Sequence, residues 1–309
     1  MNRQLTVCVT PLQLVMIYVT VHYGPVTKER KIIMIHHPGK TIRIGRLLDS
    51  ESNRTVIVAI DHGLGGAASG IEHLEKALEK IIAGNPEAII MSAGVAKRFQ
   101  HLLCGKSKPS IIITVDYGSG STLPSKGSRG EDYRLIVSVE DALKIGADAV
   151  KMVLVFGRED VKIHADNIQA VATIASQCEQ WHVPLLLEPV LWGKTVTAED
   201  RENPQILKHI CRIGFELGAD ILKVPYISDV VSFRETVDTC PLPIVILGGA
   251  KMATERDALV TAAGAIEAGA IGVAFGRNVF QHPNPTGMIK ALRKVIHEQA
   301  NVDEALTLL

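Results

Sequence analysis

The chain alternates short aliphatic segments with longer segments in which apolar residues recur at helical spacing. The aliphatic segments predict eight strands, at residues 56–60, 88–91, 111–115, 149–155, 185–188, 221–224, 244–247 and 272–275. Helical periodicity between them predicts helices at residues 71–83, 160–180, 205–217 and 254–267. Aliphatic strands that alternate with helices are typical of a parallel sheet, and eight such units predict an α/β fold closed as a TIM (β/α)8 barrel.

A short internal repeat supports this fold. Gly146-Ala147-Asp148, Gly218-Ala219-Asp220 and Gly269-Ala270-Ile271 each lie between a predicted helix and the next strand, where a glycine can end the helix. The alternative is an open doubly wound sheet, but it would leave eight parallel strands unclosed, and no GxGxxG motif follows the first strand. We therefore expect a barrel domain over residues 41–309, preceded by an extension of uncertain structure at residues 1–40.

Composition narrows the function classes. Of the 309 residues, 47% are hydrophobic and the formal net charge is zero, which argues against a partner that is a nucleic acid or a membrane surface. The apolar stretch 5–23 is interrupted by Pro11 and Gln13, which argues against a membrane span. Five cysteines without a CxxC pair predict reduced thiols and a cytoplasmic protein.

Three consecutive predicted strands each carry one ionisable residue among aliphatic ones: Lys151, Glu188 and Lys223. In a barrel they would form a network of mixed charge, which can be satisfied where a single buried charge cannot. Burial and the neighbouring Lys151 would lower the pKa of Lys223, and a neutral lysine forms a Schiff base with a carbonyl substrate. For Lys223 taken alone, the alternative is a strand-end lysine whose head reaches water.

Other polar residues follow strands at the same end, where barrel enzymes carry their active sites. Asp61 follows the first strand and would hold a substrate hydroxyl or orient a lysine, although a helix-capping role fits it equally well. A polar, glycine-rich loop at residues 118–134 follows the third strand and could close over a ligand.

The seventh and eighth strands end in glycine-rich turns. Backbone amides of such turns bind phosphate in many barrels, and this predicts a phosphate site. Its candidate residues are Gly248, Gly249, Gly276 and Arg277.

Three motifs carry a family resemblance: Ala59-Ile60-Asp61-His62-Gly63, the segment 218–223 that ends in Lys223, and the segment 272–281. With them, residues from about 41 to 309 resemble the class I aldolases of the archaeal-type fructose-bisphosphate aldolase group. The resemblance implies an imine at Lys223, a carboxylate at Asp61, phosphate held by the two turns, and a homo-oligomer. It implies neither metal nor cofactor. His62 and His164 are the nearest histidine candidates for a metal, but no HxxxH or clustered-carboxylate spacing accompanies them.

The fifth strand departs from the archaeal pattern, because Val190 occupies the position of the family's proton-transferring tyrosine. Lys151, Glu188 and Lys223 instead resemble the tagatose-bisphosphate and sulfosugar-phosphate aldolases. The sequence thus predicts a metal-independent class I aldolase acting on a phosphorylated ketose. The alternatives are a thiolase, acyltransferase or transaldolase that uses the same lysine, and a non-catalytic barrel that binds phosphosugars.

Overall fold

The structure, a computed structural model, describes residues 37–118, 133–227 and 229–309. Ten strands lie in these ranges: β1 (Thr55–Ala59), β2 (Ala88–Ser92), β3 (Ser110–Thr114), β4 (Asp116–Gly118), β5 (Tyr133–Leu135), β6 (Ala149–Val155), β7 (Leu185–Val190), β8 (Ile221–Pro225), β9 (Ile244–Leu247) and β10 (Gly272–Phe275). Eight of them form a closed parallel barrel in the order β1-β2-β3-β6-β7-β8-β9-β10. The predicted barrel is confirmed, and the open sheet is excluded.

Helices surround the barrel. They are α1 (Pro38–Arg46), α2 (Leu74–Ala83), α3 (Ala93–Arg98), α4 (Gln100–Leu103), α5 (Val139–Lys144), α6 (Val161–Trp181), α7 (Ala198–Arg201), α8 (Pro204–Glu216), α9 (Val230–Thr239), α10 (Glu255–Ala268), α11 (Arg277–Phe280), α12 (Pro285–His297) and α13 (Val302–Leu306), with a 3-10 helix at Asp61–Gly65.

Three of the four predicted helices agree with α6, α8 and α10 to within one residue at each end. The fourth was expected to begin at residue 71, but α2 begins at Leu74. Gly70 adopts a φ of +91°, and the Ile71 amide donates to the Ala68 carbonyl at 3.1 Å, so a turn occupies this segment. His73, the residue before α2, has a φ of −106° and a ψ of 77°, outside the helical region, so the helix starts after it.

The barrel interior is filled by small and branched side chains. A single buried cluster contains Leu47, Ile57, Ala59, Ala88, Ile90, Ile112, Ala149, Leu186, Ile221, Val245 and Ala274. Side chains alternate between the two faces of a strand, so the residue two positions after each of these on a strand also faces the interior. This spacing decides which polar side chains meet at the carboxyl end of the barrel.

The repeated helix-to-strand turns have the expected backbone conformation. Gly146, Gly218 and Gly269 all have positive φ, between +91° and +104°, at the end of a helix. The aspartates of the first two repeats hold the neighbouring strand: Asp148 Oδ2 accepts from the Ile111 amide at 3.2 Å, and Asp220 Oδ2 from the Leu185 amide at 2.8 Å. Glu87 does the same for Val56. These carboxylates fix the starts of adjacent strands.

Helix α1 covers the amino end of the barrel. Its Lys40 is buried and bonds Asp220 Oδ1 at 3.0 Å and the Glu179 carboxylate, while Arg46 pairs with Asp148 at 3.1 Å. Leu47, just after the helix, packs into the interior cluster. The helix runs through the position between residues 40 and 41 that the sequence suggested as a domain boundary. Residues 1–36 lie outside the described part of the chain.

The short strands β4 and β5 pair antiparallel beside the carboxyl end of the barrel. They flank residues 119–132, so most of the loop predicted to close over a ligand lies outside the described residues. Within the described ranges, none of the helices has the length and apolar character needed to cross a membrane.

Replacing Lys40 with methionine tests the closure of the amino end. The substitution leaves the Asp220 carboxylate buried without its ammonium partner, and breaking a buried pair in this way costs about 3–5 kcal/mol. We expect urea denaturation to show a loss of that order. Arg46→Gln is the matched control, because Arg46 is largely exposed and should change stability by less than about 1 kcal/mol. Equal effects of the two substitutions would contradict this role of Lys40.

Candidate active site

Five polar side chains form a layer at the carboxyl end of the barrel, each two residues beyond an interior aliphatic one. They are Asp61 after Ala59, Thr114 after Ile112, Lys151 after Ala149, Glu188 after Leu186 and Lys223 after Ile221. Strand alternation therefore points all five into the same space. The spacing was visible in the sequence, but the contacts within the layer depend on how the strands are staggered.

Glu188 lies between the two lysines. Its Oε2 is 3.0 Å from Lys223 Nζ and 3.0 Å from Lys151 Nζ. The three residues are 4%, 6% and 5% exposed, respectively. Lys151 also reaches Asp61, with Nζ 3.3 Å from Oδ2. The structure thus brings the four predicted catalytic residues together as a continuous chain of alternating charges, Lys223–Glu188–Lys151–Asp61, which we call the charge chain.

The charge chain shifts the protonation of its members in opposite directions. Burial raises the pKa of Glu188 and of Asp61, but the Lys151 and Lys223 ammonium groups outweigh it and hold the pKa of both carboxyls below the ordinary range. Burial lowers the pKa of Lys151, but Glu188 and Asp61 outweigh it and raise that pKa. At neutral pH both carboxylates and Lys151 are therefore charged.

Two polar residues beside the charge chain, Thr114 and Asp116, were not identified in the sequence as site residues. Thr114 Oγ1 donates to Asp61 Oδ2 at 2.8 Å and fixes that carboxylate. Asp116, two residues further on, is buried and accepts from the Val153 amide at 2.6 Å through Oδ2. Burial raises the pKa of Asp116 to about 6, with Lys151 opposing the shift. The two-residue spacing from Ile112 was the signal that could have found both.

The predicted phosphate residues lie together at the ends of β9 and β10. Asn278 links the two turns, since its Nδ2 donates to the Gly248 carbonyl at 2.9 Å and its Oδ1 accepts from the Met252 amide at 2.8 Å. Gly249 has a φ of +60°. A Cβ at Gly276 would lie 2.8 Å from the Ala59 carbonyl and 2.4 Å from a ring carbon of His62, so glycine is required there.

Arg277 follows directly. Its Nε is buried without a hydrogen-bond partner among the described residues. An unpaired buried guanidinium nitrogen is costly, and an anion that bound there would satisfy it.

We also searched the described residues for side chains that could together hold a metal ion. Across residues 37–118, 133–227 and 229–309, no group of three or more His, Cys, Asp and Glu side chains is placed to hold a metal ion. His164 lies on α6, with Nδ1 3.2 Å from the Val155 carbonyl. His62 lies beside the glycine turn at Gly276.

The closed barrel thus holds two lysines and two carboxylates in mutual contact at its carboxyl end. Comparison with known proteins identifies the class as that of the TIM-barrel aldolases: residues 55–282 match the family model described as DeoC/LacD family aldolase. The chain belongs to the DeoC/LacD aldolase family.

Relatives in this family differ in reaction. The chain is 36% identical to 2-amino-3,7-dideoxy-D-threo-hept-6-ulosonate synthase 1 of Archaeoglobus fulgidus, over 88% of this chain and 96% of that protein. It is 30% identical to 3-hydroxy-5-phosphonooxypentane-2,4-dione thiolase of Klebsiella pneumoniae, over 86% and 84%.

Among solved structures, an archaeal fructose-1,6-bisphosphate aldolase aligns with a TM-score of 0.71 and 25% identity, covering 84% of this chain and 99% of that one. In that structure the catalytic lysine is covalently bound to the carbinolamine intermediate of the substrate. The resemblance to Schiff-base aldolases inferred from the sequence motifs is confirmed.

Asp116→Asn tests the raised pKa of Asp116, which lies beside the charge chain. Asparagine can still accept from the Val153 amide, but it removes a carboxyl whose pKa rises from 3.8 to about 6 on folding. The folded wild type holds more protons than the unfolded chain between these values, so its free energy of unfolding falls as pH rises through them. We expect the variant to gain up to about 3 kcal/mol relative to wild type between pH 4 and pH 7 in urea denaturation.

The matched control is Asp238→Asn, at an exposed position on α9. Its difference from wild type should stay nearly constant over the same pH range. A pH-independent difference for Asp116→Asn would contradict the raised pKa.

Proposed function

We propose that this protein is a metal-independent class I aldolase in which Lys223 forms a Schiff base with a phosphorylated ketose. The observation that carries the proposal is the buried charge chain at the carboxyl end of the barrel, with Lys223 at its terminus. A carbon–carbon bond next to the resulting iminium is cleaved or formed because the iminium accepts the bonding electrons.

Lys223 is better placed than Lys151 to act as the nucleophile. Lys223 has one ion-pair partner within the described residues, Glu188, whereas Lys151 has two, Glu188 and Asp61. Neutralising Lys223 breaks a single ion pair, and Lys151 stays behind to hold the Glu188 carboxylate. We therefore assign imine formation to Lys223 and a fixed positive charge to Lys151.

Glu188 is the proposed proton carrier. It lies 3.0 Å from the reacting nitrogen, and the position of the family's tyrosine holds Val190, a buried residue that has no proton to give. When Lys223 gives up its proton, one of the two cations that keep the Glu188 pKa low is lost, so Glu188 can hold that proton until the hydroxyl leaves with it. The iminium then restores the second positive charge and returns Glu188 to its carboxylate form.

The chemical steps follow from this arrangement. Glu188 takes a proton from the Lys223 ammonium group, and the amine that results adds to the ketone. The nitrogen gives a second proton to the former carbonyl oxygen, and Glu188 returns the first proton to this hydroxyl, so that water leaves and the iminium forms. Glu188, directly or through water, or Asp61 then removes the proton of the C4 hydroxyl as the C3–C4 bond breaks and its electrons form the enamine. Protonation of the enamine and hydrolysis of the imine release a dihydroxyacetone-phosphate-like product and regenerate the amine.

Gly248, Gly249, Gly276 and Arg277 are proposed to bind the substrate phosphate. Supporting this are the linkage of the two turns through Asn278 and the unpaired Nε of Arg277. The end of β10 also pairs directly with β1, the strand that leads to Asp61, so phosphate bound there would hold the ketone near the charge chain. We also expect a homo-oligomer, as in the family that the sequence resembles.

The named relatives favour a second candidate, a synthase that passes the enamine to an acceptor aldehyde instead of a proton. The 36% identity to a hept-6-ulosonate synthase supports it. A thiolase is the third, supported by the 30% identity to a thiolase. All three use the same Lys223 imine, so product analysis distinguishes them: aldehyde released alone, a longer ketose when an acceptor is present, or an acyl group transferred to coenzyme A.

Borohydride trapping tests the imine. With dihydroxyacetone phosphate or a panel of ketose phosphates, we expect borohydride to fix a covalent adduct on Lys223, located by peptide mass spectrometry. Lys223→Met should abolish labelling and lower kcat by at least about 10³-fold, since the covalent route is lost. Lys290→Met, at an exposed position on α12, should label as wild type. An adduct on Lys151, or none with any substrate, would contradict the assignment.

Glu188→Gln tests the proton carrier. The amide keeps the shape but removes both the negative charge shared by the two lysines and the capacity to carry a proton. General acid–base groups contribute typically about 10² to 10⁴-fold, so we expect a loss of kcat in that range with trapping at Lys223 slowed. Glu179→Gln, at a largely exposed carboxylate at the opposite end of the barrel, is the control for general electrostatic effects. A kcat within about threefold of wild type would exclude Glu188 from proton transfer.

A further inference from the structure

His62 occupies the space between the charge chain and the glycine turn. Its ring lies against Gly276, where an added Cβ would come within 2.4 Å of Cε1 and 3.2 Å of Nε2. Phe280 meets the ring edge-on, with centroids 5.1 Å apart. The side chain is 29% exposed, so it is partly open to whatever enters the barrel mouth. The sequence had suggested His62 only as a metal candidate without suitable partners.

Neither ring nitrogen of His62 makes a hydrogen bond to the described residues. Nδ1 is buried without a partner and lies 3.8 Å from Asp61 Oδ1, which is too long for a hydrogen bond. Nε2 lies on the side of Gly276, the same turn that carries the unpaired Nε of Arg277. His62 thus packs against the residue that precedes Arg277, and each of the two side chains carries a polar atom that is unpaired among the described residues.

Four charged groups act on His62: Asp61, Lys223, Arg277 and Glu188. Burial lowers the pKa of the ring; Asp61 raises it, Lys223 and Arg277 lower it further, and the sum leaves it below the ordinary value. When no anion is bound at the turn, the neutral ring is thus the favoured form at pH 7. A dianion at the turn would cancel the effect of Arg277 and add a negative charge beside the ring, so it would favour the imidazolium.

We propose that His62 binds the phosphate group of the substrate and takes up a proton as it does so. Protonated imidazole has a donor at each nitrogen, so Nε2–H donates to a phosphate oxygen and Nδ1–H to Asp61 Oδ1 after a small rotation. This accounts for both unpaired nitrogens. The inference rests on the phosphate site of the proposed function, but it does not depend on the Lys223 imine.

The consequence for substrate choice follows from charge. A phosphate ester contacts Arg277 and also His62, which becomes charged only in the complex. An uncharged alcohol at the same place gains neither ionic contact. His62 is therefore a positioning residue that distinguishes phosphorylated from unphosphorylated ketoses. Asp61 connects it to the charge chain, so an occupied phosphate site also anchors the carboxylate next to Lys151.

Isothermal titration calorimetry at pH 7 tests the proton uptake. The probes are glycerol 3-phosphate, which has no carbonyl to form an imine, and inorganic sulfate, whose charge does not change near neutral pH. The protons taken up per anion bound are obtained from the enthalpies in buffers of different ionisation enthalpy. For wild type with sulfate we expect an uptake approaching one proton.

His62→Gln and His62→Asn should lose this uptake and bind both probes on the order of 10- to 100-fold more weakly, the range for a hydrogen bond to a charged group. With a phosphorylated ketose we expect the loss mainly in KM, with a smaller change in kcat. His209→Gln, the same substitution at an exposed site on α8, should match wild type in uptake and affinity. Circular dichroism verifies that each variant is folded, and either folded His62 variant is sufficient for the test.

The proposal would be overturned if a folded His62 variant took up as many protons per anion as wild type. It would also be overturned if wild type bound neither probe. The second outcome would also remove the phosphate site from the proposed function. Failure of borohydride trapping together with normal proton uptake would instead overturn the imine chemistry and leave the role of His62 in place. The two proposals are thus separable by experiment.

Discussion

The sharing of one carboxylate oxygen by two buried lysines is the interaction on which the site depends. Glu188 Oε2 lies 3.0 Å from both Lys151 and Lys223, in a space that the barrel closes off from bulk water. Either lysine alone would carry an uncompensated charge, and the carboxylate alone would be forced toward its neutral form. Because the three charges are interdependent, a change of charge on Lys223 changes the pKa of Glu188. The proposed imine chemistry uses this coupling.

The two ends of the barrel use buried carboxylates for different purposes. At the amino end, Asp148 and Asp220 accept amide hydrogens from neighbouring strands and are countered by basic residues of α1, which fixes the strand starts. At the carboxyl end, the Asp61 and Glu188 carboxylates instead contact the ammonium groups of Lys151 and Lys223. The stagger of the strands in the closed barrel brings the side chains of the carboxyl end within ion-pair distance.

Val190 and Glu188 lie two residues apart on β7, so strand alternation places both on the same face of the strand. Val190 is a buried aliphatic residue, whereas Glu188 meets Lys151 and Lys223 in the barrel interior. The sequence motifs predict that Val190 takes the position of a proton-transferring tyrosine in the archaeal-type aldolases. Under the proposed function, Glu188 replaces that tyrosine as the proton carrier.

Periodicity in the sequence determined the barrel and the strands that carry Lys151, Glu188 and Lys223, because strand alternation and helical spacing are local properties that a sequence displays directly. Tertiary structure alone decided that one oxygen of Glu188 would serve both lysines, and that Thr114 and Asp116 would lie beside the charge chain. It also placed Lys40 in a buried pair with Asp220, 180 residues away. Such contacts depend on the stagger between strands and on helix packing, and no local pattern encodes a distance between segments far apart in the chain.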